Sequence, residues 1–114
     1  MPTFQSDPKL EQMIDRLLAD HPIAKRAKMF GYRAYKVNGK LAVGLFDNGI
    51  MMKVGARRVR ELTGETGIQP FEPSEGRAWK EWILVTSDFD SRKSLCDEAI
   101  EYVLEETSYE RTSS

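Results

Sequence analysis

The chain has 114 residues, of which 40% are hydrophobic and 31% charged, with a formal net charge of −1. That size and balance fit one soluble globular domain with its own core, and they exclude a disordered or fibrous chain. No apolar run approaches the roughly 20 residues of a membrane span, and the single Cys96 excludes an internal disulfide.

Residues 1–6 lack the charged and apolar regions of a signal peptide. With the lone thiol, this gives the expectation of a reducing cytoplasm. The charge is unevenly spread. Residues 1–60 hold 12 Lys and Arg against 5 Asp and Glu, and residues 61–114 hold 5 against 13. Such asymmetry marks a nucleic-acid surface or complementary self-association, unless folding mixes the two halves.

The first helix is expected to open at Asp7-Pro8, with Asp7 as the cap and Pro8 in the first helical position. Leu10, Met13, Ile14, Leu17 and Leu18 then form one apolar stripe, with Glu11, Asp15 and Arg16 on the other side. Pro22 ends the helix, because His21 before it resists helical angles. Lys25-Arg26-Ala27-Lys28 follows and reads as a solvated basic linker; its sharper reading is a contact to an anion or phosphate.

Residues 31–54 read as three antiparallel strands joined at Asn38-Gly39 and Asn48-Gly49, pairs that suit two-residue hairpin loops. Counting from these turns pairs Lys36 with Leu41, Ala34 with Val43, Tyr32 with Leu45, Leu45 with Met52 and Val43 with Val54. One face then carries Tyr32, Ala34, Leu41, Val43, Leu45, Ile50, Met52 and Val54 and is the expected core. The other carries Arg33, Tyr35, Val37, Lys40, Ala42, Gly44, Phe46, Met51 and Lys53. A solvated sheet face is mostly polar, so this mixed face is expected to be covered by later segments of the chain, a second copy or a ligand.

A short helix is expected over Gly55–Leu62, with Ala56, Val59 and Leu62 on one face and Arg57, Arg58 and Arg60 exposed. Gly64–Gly67 reads as a turn, without the strand and third glycine of a nucleotide-binding fingerprint. Ile68–Phe71 reads as a short strand placed at a sheet edge by Pro70. Residues 72–76 form a loop, and Trp79–Thr86 the next strand, with Trp79 and Trp82 on opposite faces. Asp90 or Ser91 caps a last helix whose buried stripe is Leu95, Cys96, Ala99, Ile100 and Val103. The domain is expected to have an ordered core over about 7–106, and residues 107–114 to form a polar, frayed tail.

These elements give an α+β fold of two layers: an antiparallel sheet with helices on one face, in the order α-β-β-β-α-β-β-α.

No catalytic constellation stands out. His21 is the only histidine and Cys96 the only cysteine, which excludes Cys and His zinc clusters. Cys96 sits in an apolar stripe and reads as a small core residue rather than a nucleophile. Asp88 and Asp90 read as helix-start acids favoured by the dipole. No catalytic residue, cofactor site or metal site is assigned.

Met29-Phe30-Gly31, Tyr35-Lys36-Val37-Asn38-Gly39-Lys40 and Asn48–Val54 resemble the N-terminal domain of the TfoX/Sxy proteins. Gly76–Ile83 resembles a later segment of the single-domain TfoX-like proteins. By order of elements the resemblance spans about Lys9 to Glu105. Tyr32 departs from it, standing where the family often has a second glycine. The resemblance implies the same element order, similar to the secretion-chaperone-like class. Two-domain members are similar to competence regulators that act with the cyclic-AMP receptor protein. The sequence shows no counterpart of their helical C-terminal domain, so that role is not carried over.

The leading functional expectation is a non-enzymatic interaction module of the cytoplasm. It would self-associate, as a homodimer for example, or bind a protein partner through Tyr35, Phe46, Met51, Trp79 and Trp82. The alternative is nucleic-acid contact through Lys25, Arg26, Lys28, Arg33, Lys53, Arg57 and Arg58. A small-molecule-binding domain is the third reading.

Overall fold

The structure, a computed structural model, describes residues 8–29, 31–46, 49–74 and 76–112. Residues 1–7, Phe30, Asp47, Asn48, Glu75, Ser113 and Ser114 lie outside the described residues, so the expected cap at Asp7 and the turn residue Asn48 do too. The elements run α1 (Pro8–Leu18), β1 (Lys25–Met29), β2 (Tyr32–Val37), β3 (Lys40–Phe46), β4 (Gly49–Lys53), α2 (Ala56–Leu62), β5 (Ile68–Pro70), β6 (Trp82–Val85) and α3 (Lys93–Thr112), with a 3-10 turn over Phe89–Arg92 before α3. The strands form one antiparallel sheet in the order β1-β2-β3-β4-β6-β5. This is the expected α+β architecture of helices packed against an antiparallel sheet, with one strand more at its start.

That strand is β1. Its run Lys25-Arg26-Ala27-Lys28 carries too little apolar surface to announce a strand, and it is held by pairing with β2 rather than by a buried face of its own.

The main core lies between the sheet and the helices. Leu10, Ile14, Leu17 and Leu18 of α1 meet Val59 and Leu62 of α2 and Leu95, Cys96, Ala99, Ile100 and Val103 of α3. The sheet contributes Val43, Leu45, Ile50, Met52, Ile83 and Val85. Each such side chain is worth roughly 1.5–3 kcal/mol when fully buried. The expected helical stripes are therefore the buried ones.

The expected register shifts at two places. Asn38 (φ 52) and Gly39 (φ 83) form the first hairpin turn, and Lys36 faces Leu41 as counted. Beyond that pair, Tyr35 faces Val43, which leaves Ala42 as an extra residue in β3. A one-residue bulge reverses which side chains point inward. Tyr35 and Val37 therefore turn under the helices. Ala34 instead faces Gly44 and Leu41 joins a second apolar cluster, while Tyr32 stays packed against the main core with its ring 6.0 Å from that of Phe46.

At the second hairpin Phe46 faces Gly49, so Leu45 meets Ile50 and Val43 meets Met52. The shift is two residues and preserves the faces. Gly49 serves the strand rather than the turn. A Cβ there would lie 2.5 Å from the Val85 carbonyl oxygen, so its bare backbone admits β6 alongside.

The mixed outer face is covered by the chain's own connection between β5 and β6. Phe71 is fully buried there with Met51, Trp82 and Leu84, and Leu41, Phe46 and Trp79 pack at the rim. Trp79 and Trp82 share this side, with rings 5.6 Å apart, instead of dividing between two faces. Trp79 precedes the strand: the Trp82 amide donates to the Trp79 carbonyl in a turn, so strand alternation does not relate the two indoles.

α3 continues to Thr112, past the expected boundary at 106. Thr107 is 3% exposed and donates its hydroxyl to the Val103 carbonyl, which binds this part of the expected tail into the domain.

Among the described residues no helix is long and apolar enough to cross a membrane.

Candidate functional site

Asp15 stands beside the apolar stripe of α1, within reach of side chains from β1 and β2. The antiparallel register pairs Arg26 with Tyr35 and Lys28 with Arg33. Cross-strand partners share a face, so these four side chains point to the helix side. Three of them meet on one carboxylate. Asp15 Oδ2 accepts from Arg33 Nη1 at 2.6 Å and from Arg26 Nη2 at 3.2 Å, and Oδ1 accepts from the Tyr35 hydroxyl at 2.7 Å. Burial, then the hydrogen bond to Asp15, raises the Tyr35 hydroxyl above its ordinary value and keeps it a donor.

Next to this hub a cavity of about 470 Å3 is lined by Glu11, Arg26, Ala27, Lys28, Gly31 and Arg33. Lys25, Arg26 and Lys28 are exposed on the strand that forms its rim. No carboxylate of the described residues pairs with Lys28, which faces Arg33 across the strands. Like charges opposite one another destabilise a sheet, and the Asp15 carboxylate is shared between Arg26 and Arg33. The rim therefore carries a local excess of positive charge.

The remaining basic residues of the nucleic-acid expectation lie elsewhere, at the far end of β4 and on α2. Lys53 Nζ donates to Glu106 at 2.8 Å, Arg58 Nε to Glu98 at 2.8 Å and Arg57 Nε to Glu61 at 3.1 Å. The hydrogen bond to Glu98 raises Arg58 above its ordinary value, and Arg57 and Arg58 lower Glu61. The seven cations thus form two groups, and every member of the second is matched by an acid of this chain.

The expected protein-contact residues also divide. Tyr35 is 2% exposed, Met51 0% and Trp82 8%, so the bulge and the β5–β6 connection enclose them and they offer no surface to a partner. Phe46 and Trp79 are half-buried at the rim of the second cluster.

The other chemistry-bearing residues have structural roles. His21 Nδ1 accepts from the Ile23 amide at 3.2 Å, and its Nε2 lies 3.7 Å from Asp97. Cys96 is buried in the main core, where desolvation pushes its thiol up to about 12, far from the thiolate a nucleophile needs. The Asp88 carbonyl accepts from Ser91, and Asp90 pairs with Arg16. Among the described residues no group of three or more His, Cys, Asp or Glu is placed to hold a metal ion.

Asp15 is the residue that helical periodicity could not single out, since it reads as one more acid on a solvated face. The alternation of cations with Ala27 and Met29 is the one faint sign that the basic run is a strand.

Compared with known proteins, the chain matches no family model, no curated protein and no solved structure.

Proposed function

We propose that this protein is a non-enzymatic interaction module of the TfoX-like kind, acting in the cytoplasm, that recognises an acidic segment of a protein partner at the basic β1 rim. One observation carries this reading: Lys25, Arg26 and Lys28 stand exposed along one strand, backed by Arg33, with too few carboxylates to neutralise them. A protein segment fits better than a nucleic acid. Glu11 lines the cavity and Asp15 lies beside it, and Lys53, Arg57 and Arg58 are engaged by acids, so these three do not extend the rim into a basic track.

The test is fluorescence anisotropy with a labelled oligoglutamate and a labelled single-stranded DNA at several salt concentrations. The reading expects the acidic peptide to bind, with affinity lost in Lys28→Glu and falling with salt. Binding of DNA alone, with a steep salt slope, would transfer the function to nucleic acid.

A further inference from the structure

We infer that the acidic segment docks as an added strand on the open edge of β1, an inference that rests on the reading of the rim given above. The two edges of the sheet differ. β5 has three residues and ends in Pro70, which has no amide hydrogen to offer. β1 has five residues, and among the described residues no strand pairs with its outer side.

Register identifies which main-chain groups face outward. Val37 and Lys40 flank the Asn38-Gly39 turn, the position of a hydrogen-bonded pair in a two-residue hairpin, so Val37 turns its main-chain groups toward β3 and Lys36 turns its own toward β1. Antiparallel pairs alternate, so Ala27–Ala34 and Lys25–Lys36 are also hydrogen-bonded pairs. Arg26 and Lys28 then turn their N–H and C=O groups away from β2, offering two donors and two acceptors to an incoming strand.

Charge decides the occupant. A second copy paired antiparallel about Ala27 would set Arg26 of one chain against Lys28 of the other, twice over, which is unfavourable. A strand with acids at alternate positions reverses the sign. Its residues opposite Arg26 and Lys28 would lie on the helix side, beside the cavity and Arg33. Its residue opposite Ala27 would lie on the outer face, where a β-branched apolar side chain fits. The recognised chemistry is an extended peptide in which carboxylates alternate with apolar residues.

The experiment uses the full chain and a labelled peptide of alternating glutamate and valine, followed by anisotropy. A second peptide of the same sequence carries N-methyl groups on alternate amides, which removes the hydrogen bonds to β1 and keeps the charge. Strand addition expects the N-methylated peptide to bind about tenfold or more weakly, the loss of one or two hydrogen bonds. Amide hydrogen exchange expects new protection at Arg26 and Lys28 on binding, with Ala27 already slow. Lys28→Glu is expected to bind more weakly while its urea unfolding curve shows no loss of stability, since a glutamate there faces Arg33.

Equal binding of both peptides without new protection would overturn strand addition and leave the acidic-partner reading standing. Failure of both peptides to bind would overturn both readings. Concentration-dependent dimerisation that protects the same two amides would replace the acidic strand with a second copy.

Discussion

The side-chain amide of Asn38 donates to the hydroxyl of Thr107 at 2.8 Å, joining the tip of the first hairpin to α3 across 69 residues of sequence. The same asparagine holds a left-handed backbone (φ 52) at the turn, so one residue shapes the hairpin and fastens it to the helix layer. Asn38→Ala loses both roles and is expected to cost about 1–2 kcal/mol. Asn38→Gly keeps the turn and loses only the anchor, so its cost is smaller. Urea unfolding of the two variants separates the contributions.

Asp15→Ala removes the shared acceptor of Arg26, Arg33 and Tyr35. Two guanidinium groups then repel across β1 and β2, and a buried hydroxyl loses its partner. A cost of about 2–4 kcal/mol is expected, within the range for breaking a part-buried charged network. Asp15→Asn keeps one acceptor oxygen and is expected to fall between the two. Thermal unfolding at low and high salt checks this, because screening reduces the Arg26–Arg33 repulsion and narrows the gap between Asp15→Ala and wild type.

Stability is expected to fall in alkali for a stated reason. Cys96 is pushed up to about 12 by burial, Tyr102 up to about 12 by its hydrogen bond to Glu81, and Tyr35 upward by burial. All three bind their protons more tightly folded than unfolded. Above the ordinary thiol value of 9.0 and phenol value of 10.0 the unfolded chain sheds protons first, so unfolding gains. Stability from these groups is therefore complete below about pH 9 and declines toward pH 12. Melting temperatures across this range should show the decline, and Cys96→Ala should remove the part that begins at the thiol.

Gly55 precedes α2 with φ 95, and a Cβ there would sit 2.9 Å from Cε1 of Tyr102. Gly55→Ala meets both an unfavourable backbone and a ring fixed by its bond to Glu81, and about 1–3 kcal/mol of destabilisation is expected. Adding Tyr102→Leu should recover the steric part only. A double-mutant cycle in urea measures how much is recovered.

The sequence made the local patterns legible and the tertiary ones obscure. The stripes of α1 and α3 follow from helical spacing alone, and every residue expected in the α3 stripe is buried. Asn38-Gly39 announced its turn for an equally local reason. The bulge at Ala42 did not show, because one extra small apolar residue leaves the composition of the strand unchanged while reversing Tyr35 and Ala34. Trp79 and Trp82 misled because a turn, rather than a strand, separates them. The Asp15 hub was hidden for the same reason as β1. Its meaning comes from residues distant in sequence: Arg26 on a strand of little apolar surface, and Arg33 and Tyr35 on β2, which the bulge turns to the helix side.

Pro70 has a consequence for how copies of this protein could assemble. A sheet that accepts neighbours on both sides can grow without limit into fibrils. Here one border lacks the donor that continued growth requires, and the other is dominated by positive charge. Both borders thus disfavour repeated edge-to-edge growth, each for its own reason.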